Sequence, residues 1–192
     1  KLGWSTVKIA ASDLTDNALE TTPKRLFYEI VLYSFAIEFV GAVILAFVFV
    51  PDFGALGIFE AIFLSVSAFC NAGFDLLTAT QGAVGLSNYT ANPLVMITVT
   101  VLITTGGLGF IVWRNIRHYS KAKRLLLHTK LVLIMAAVML LVGAAIIFIV
   151  EFSNQDTLGQ MPIGEKILTS IFLSASSRTC LLYTSPSPRD CS

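Results

Sequence analysis

The chain has 192 residues, 55% of them hydrophobic and 13% charged, with a formal net charge of +1. A soluble domain carries about 25% charged residues, so this composition excludes a disordered chain, a collagen-like repeat and an ordinary soluble enzyme. With a mean hydropathy of +0.78 it points to an integral membrane protein, and the near-neutral charge offers nothing to nucleic acid.

The first 23 residues precede any apolar run and end beside Lys24 and Arg25. A membrane helix needs about 20 mostly apolar residues. The first such stretch is Leu26 to Val50, whose only charges are Glu29 and Glu38. Next comes Ile58 to Phe69, about 18 Å of helix at 1.5 Å per residue. That is too short to cross, and suits a re-entrant half-helix. Leu94 to Trp113 and Leu131 to Val150 are full-length and uncharged, and Ile167 to Ala175 is again short. None has the form of a signal peptide. Asn88-Tyr89-Thr90 is a glycosylation sequon. Cys70, Cys180 and Cys191 follow no metal or redox spacing.

Charge sets the orientation. Arg114, Arg117, Lys121, Lys123, Arg124 and Lys130 separate the second and third spans with no acid among them, whereas Pro51 to Pro93 holds Asp52, Glu60 and Asp75 and no base. Basic loops stay inside. The N-terminus is therefore expected inside and both half-helices on the outer face. The basic stretch also suits anionic lipid or a cytosolic partner. His118 and His128 within it have no ligand partners at metal spacing.

Ile62-Phe63-Leu64-Ser65-Val66-Ser67 and Ile171-Phe172-Leu173-Ser174-Ala175-Ser176 differ at one position of six. Each follows a full span and an acidic linker. The chain therefore reads as one span, half-helix, span unit followed by the first part of a second. A half-helix ending inside the membrane leaves non-helical backbone, tolerated only when buried in protein or lining water. Its C-terminal dipole end favours a cation, and carbonyls of the next turn can replace an ion's hydration shell. After Phe69 come Cys70, Asn71, Ala72 and Gly73, with glycine where backbone must bend or approach an ion.

Phe63 to Leu77, with Cys70-Asn71-Ala72-Gly73-Phe74 at its centre, resembles the second pore loop of the Trk/Ktr/HKT potassium transporters, nearest the Ktr-type membrane subunit. Phe49 to Gly54, Gly106 to Phe110 and His128 to Leu133 are similar to the same subunit. Ser176-Ser177-Arg178-Thr179 resembles the start of the third pore loop. The resemblance covers residues 24 to about 179. It implies an all-α membrane fold like that of potassium channels, with four span, pore-helix, span units around one pore. This chain would supply three transmembrane helices and two half-helices of it. It divides as an N-terminal segment 1–23, a complete unit 24–113, a basic linker 114–127, the opening of the next unit 128–179 and a tail 180–192.

The resemblance further implies a pore-forming subunit that carries K+ across the plasma membrane (the bacterial inner membrane), with Na+ as a helper ion. It implies a homodimer seated on a cytosolic nucleotide-binding ring. The carbonyls of Cys70, Asn71, Ala72 and Gly73 would form the ion site, and Ser177, Arg178 and Thr179 would begin the next filter loop. Cys180-Leu181-Leu182 stands where the family reads Ala-Gly-Phe, and the tail from there resembles translated sequencing-adapter DNA.

Glu38 is expected either to buttress the filter loop by bonding buried amides or to meet the ion. Asp75 either draws cations to the outer mouth or is an exposed loop acid. Glu60 and Glu165 are expected to cap the half-helices. Gly106, Gly107 and Gly109 fit close helix packing rather than a nucleotide loop. An enzyme would need a nucleophile elbow, a zinc motif or paired membrane aspartates, none of which the sequence carries. A non-transporting structural or regulatory membrane subunit is the alternative reading.

Overall fold

The computed structural model describes residues 23–74, 76, 86, 89, 90, 92–122, 126–152 and 162–179. Asp75, Asn88 of the sequon, residues 1–22 and the tail 180–192 lie outside the described residues. The described chain is all helical: α1 (Pro23–Phe53), α2 (Ala55–Phe69), α3 (Pro93–Gly107), α4 (Phe110–Ala122), α5 (Leu127–Glu151) and α6 (Ile163–Ser176).

Two helices, α1 and α5, are long and apolar enough to cross a membrane, and α3 with α4 would count as a third if taken as one broken span. Large apolar side chains cover the outside of α1 and α5. Phe39, Phe47, Leu141 and Ile149 are all exposed, Phe47 and Ile149 at 74%. Such a surface is costly in water and costs nothing in lipid.

The described residues fall into two compact units. The first combines those up to Ala36 with Leu108–Ala137. In it the Arg117 guanidinium lies 4.9 Å from the centre of the Tyr33 ring, a cation–π contact that holds a basic side chain of α4 against α1. The second unit holds Ile37–Gly107 and the residues from Val138 onward.

The core lies in the second unit. Leu45 and Phe49 of α1 meet Leu64 and Ala68 of α2, Val95, Met96 and Val99 of α3, and Phe172 and Ala175 of α6. The middle position belongs to α3, which packs against both half-helices. It carries no charge, and its threonines turn their hydroxyls onto its own backbone. Thr98 donates to the Leu94 carbonyl at 2.7 Å and Thr100 to Met96 at 2.7 Å. Internal bonding of this kind lets a threonine-rich helix be buried on several faces.

The joint between α1 and α2 is a single residue. Gly54 has φ +61, a left-handed value that glycine adopts freely. Its N–H donates to Val50 at 2.8 Å, and Gly57 N–H donates back to Gly54 at 3.1 Å. A Cβ on Gly57 would strike the Phe49 carbonyl, so the two helices touch backbone to backbone. The half-helix starts at Ala55 rather than Ile58 and reaches about 22 Å, still short of the roughly 30 Å hydrocarbon core.

The stretch expected as one second span is interrupted. α3 stops at Gly107 and α4 starts at Phe110, with Gly109 at φ +81 between them. Glycine costs a helix about 1 kcal/mol relative to alanine, and three glycines in four residues concentrate that cost at one point.

Candidate functional site

The loop after α2 is built by a helix-terminating motif. Cys70 N–H donates to Val66 at 2.9 Å, Asn71 N–H to Ala68 at 3.2 Å and Ala72 N–H to Ser67 at 2.9 Å. The last two bonds, with Asn71 at φ +54, make a Schellman-type cap whose left-handed residue is asparagine instead of glycine. The amides of the loop thus satisfy the carbonyls that a helix end leaves open.

Ser67 closes the loop. Its hydroxyl donates to the Phe74 carbonyl at 2.7 Å and accepts from Phe74 N–H at 2.9 Å. Between these anchors Gly73 takes φ +76. Among the described residues, none donates a hydrogen bond to the carbonyl oxygens of Cys70, Asn71, Ala72 or Gly73. A half-helix aims the negative end of its dipole at this loop. Carbonyls left over beside such an end are suited to a desolvated cation.

Two elements hold the loop from outside. Ser65, buried on α2, donates to the main-chain carbonyl of Glu38 at 2.7 Å. The Glu38 carboxylate reaches the Cys70 thiol, Oε1 lying 3.9 Å from Sγ. Glu38 thus meets α2 through its main-chain carbonyl and the first loop residue, Cys70, through its carboxylate. From the other side comes α3. A Cβ on Gly106 would overlap the Phe69 carbonyl, and one on Gly107 would lie 4.0 Å from Asn71 Nδ2. Close packing therefore explains Gly106, while Gly109 serves the chain break. Asn71 Oδ1 is buried, with no hydrogen-bond partner among the described residues.

In the second copy the seating contact recurs, while the Ser67 clamp does not: the Ser176 hydroxyl is buried with no hydrogen-bond partner among the described residues. Ser174 of α6 donates to the Leu140 carbonyl at 2.9 Å. Ser177, Arg178 and Thr179 form the turn that leaves α6, with Arg178 N–H on Ala175 at 3.2 Å and Thr179 N–H on Ser176 at 3.0 Å. Glu165 sits in the first turn of α6, where it suits the positive dipole end. Glu60 does not cap. Because α2 begins three residues earlier than expected, Glu60 falls in its second turn, 3% exposed.

Three features were not read from the sequence. Lys166 is buried, its Nζ donating to the Phe152 carbonyl at 3.2 Å and lying 4.4 Å from the Phe152 ring centre. Ser67 and Ser65 act across turns and between helices, which periodicity does not encode. The asparagine one place past the helix cap was the one legible signal, since asparagine tolerates positive φ.

The profile of the TrkH family, described as "Cation transport protein", matches residues 8–187. The chain is 42% identical over 161 residues to the potassium/sodium uptake protein NtpJ of Enterococcus hirae, an alignment covering 83% of this chain and 34% of that protein. It is 38% identical over 159 residues to the Ktr system potassium uptake protein B of Vibrio alginolyticus, covering 81% and 34%. To the protein of the same name from Bacillus subtilis it is 36% identical over 149 residues, covering 77% and 32%. The chain spans about a third of the length of these relatives. On the extent of the profile match and the depth of these identities, the chain belongs to the TrkH family of cation transport proteins.

Proposed function

We propose that this chain is part of the pore-forming subunit of a potassium uptake system, and that the carbonyls of Cys70, Asn71, Ala72 and Gly73 form one segment of its selectivity filter. The observation that carries the reading is the loop itself. The amides of Cys70, Asn71 and Ala72 are turned back onto α2, the loop's far end is pinned by Ser67, and no described donor occupies its four carbonyls. The names of the relatives, each a potassium uptake protein, support K+ as the ion. The name of the Enterococcus protein supports Na+ as a second cation.

In this reading residues 24–113 are a complete unit and 128–179 open the next, with Ser177, Arg178 and Thr179 starting its filter loop. Glu38 supports the loop from behind, and Asp75 draws cations to the outer mouth. The subunit lies in the plasma membrane with its N-terminus inside, as the basic stretch from Arg114 to Lys130 supports. It pairs with a second copy and rests on a cytosolic nucleotide-binding ring.

The test is potassium uptake in cells lacking their own uptake systems. Residues 24–179 replace the matching segment of the Enterococcus hirae protein, and Gly73→Ala is compared with the parent chimera. An L-residue at φ +76 costs roughly 1–2 kcal/mol and turns the adjoining carbonyls. K+ over Na+ selectivity is expected to fall about tenfold, the ratio that 1.4 kcal/mol supports. Unchanged selectivity with uptake intact would remove Gly73 from the filter. A correctly inserted chimera that moves no ion would favour the structural or regulatory subunit.

A further inference from the structure

The two half-helices are seated by the same contact. Ser65 Oγ donates to the Glu38 carbonyl at 2.7 Å, and Ser174 Oγ donates to the Leu140 carbonyl at 2.9 Å. Each acceptor lies on the span that precedes the half-helix, and each carbonyl already belongs to a helical ladder. In a helix, carbonyl i is flanked by the side chains of residues i+3 and i+4. After Glu38 these are Gly41 and Ala42, and after Leu140 they are Gly143 and Ala144. Ala42 and Ala144 are each 8% exposed. A Cβ on Gly41 would stand 2.6 Å from Ser65 Oγ, and one on Gly143 would meet Ser174 Oγ more closely still. Glycine followed by alanine thus uncovers a carbonyl that side chains ordinarily screen, and the serine reaches it.

We infer that Ser65 with Gly41, and Ser174 with Gly143, are two copies of one positioning device that fixes the depth of each half-helix against its span. Taking Cys70–Gly73 as the filter, the device sets the height of the filter loop. These are positioning residues, because nothing in the contact touches the loop carbonyls. The recurrence of a serine donor, a main-chain acceptor on the preceding span and a Gly-Ala pair at i+3 and i+4 of that acceptor carries the inference, since packing chance would not place glycine and alanine there twice.

Cys70 supplies a native reporter, because its thiol is free and exposed at the end of α2. The 192-residue chain, with Cys180→Ser and Cys191→Ser, is placed in lipid nanodiscs. The rate of Cys70 modification by a trimethylammonium-ethyl methanethiosulfonate is then measured. Ser65→Ala is expected to change the rate about fivefold, the ratio one hydrogen bond supports, while Ser174→Ala in the other copy leaves it within about twofold. Gly41→Ala is expected to match Ser65→Ala, and the double variant to add nothing further. A rate unmoved by Ser65→Ala, an equal response to Ser174→Ala, or strictly additive changes would overturn the inference. Should Gly41→Ala fail to fold, the two serine variants decide the matter alone. The readout uses no transport, so it fails or succeeds independently of the potassium reading.

Discussion

Asn71 and Gly73 both sit at positive φ, yet they answer to different demands. Asn71 is the left-handed residue of a helix cap, a conformation asparagine enters at small cost. Gly73 lies between the cap and the Ser67 clamp, where the backbone has no helix to lean on. Ser67 is the residue on which the closure turns, since one hydroxyl serves both polar groups of Phe74. Ser67→Ala should lower stability by about 1–3 kcal/mol, because two hydrogen bonds of roughly 0.5–1.5 kcal/mol each are lost. Ser67→Thr, which keeps the hydroxyl, should recover most of it. Thermal unfolding of both variants in detergent checks this, and an unaltered midpoint for Ser67→Ala would show that water replaces the clamp. Gly106 was legible in the sequence as a packing glycine, but its partner was not. The overlap is with a main-chain oxygen, that of Phe69, and residue identities do not encode where a backbone atom from a distant segment will lie.

At the scale of elements, hydropathy located the long helices well and their interruptions poorly. The first span was expected at 26–50 and occupies 23–53. A window average sees the lipid-facing majority of such a helix, so errors gather at the ends. The second span failed as a single helix because the same average passes over Gly106, Gly107 and Gly109, whose cost is local. The half-helix began early because Gly54 alone makes the turn, whereas a longer connection was assumed. The C-terminal end of α1 is further fixed by Tyr89. Its hydroxyl donates to Asp52 at 2.8 Å, and its ring meets Phe49 edge-on at 5.1 Å. Tyr89→Phe retains the ring contact and loses the charge-assisted bond, for an expected loss of about 1.5–3 kcal/mol. Phe49→Ala, fully buried, should cost about 3–5 kcal/mol. A chemical-denaturation series that ranks Tyr89→Phe at or above Phe49→Ala would mean that the polar contact, not the apolar core, anchors this end.

For the whole molecule, family membership and helical class were readable because five separate motifs occur in order. The two-copy seating of the half-helices was not, because it depends on which carbonyl each serine meets. Orientation rests on charge alone and can be examined directly. In a background lacking the native cysteines, Pro162→Cys should react in intact cells with an impermeant thiol reagent, and Lys121→Cys only after the cells are opened. The opposite pattern would invert the topology. The single-residue joint at Gly54 has a consequence for biosynthesis. The α1–α2 hairpin, with Ser65 already opposite Gly41, is complete once Phe69 has left the ribosome, but the α3 residues that bury its far side come later. At about 5–20 residues per second, the nascent hairpin waits roughly 2–8 s for α3 to be completed, with the polar backbone of its loop at membrane depth. During that interval the half-made chain depends on the insertion machinery for the shelter that α3 later provides.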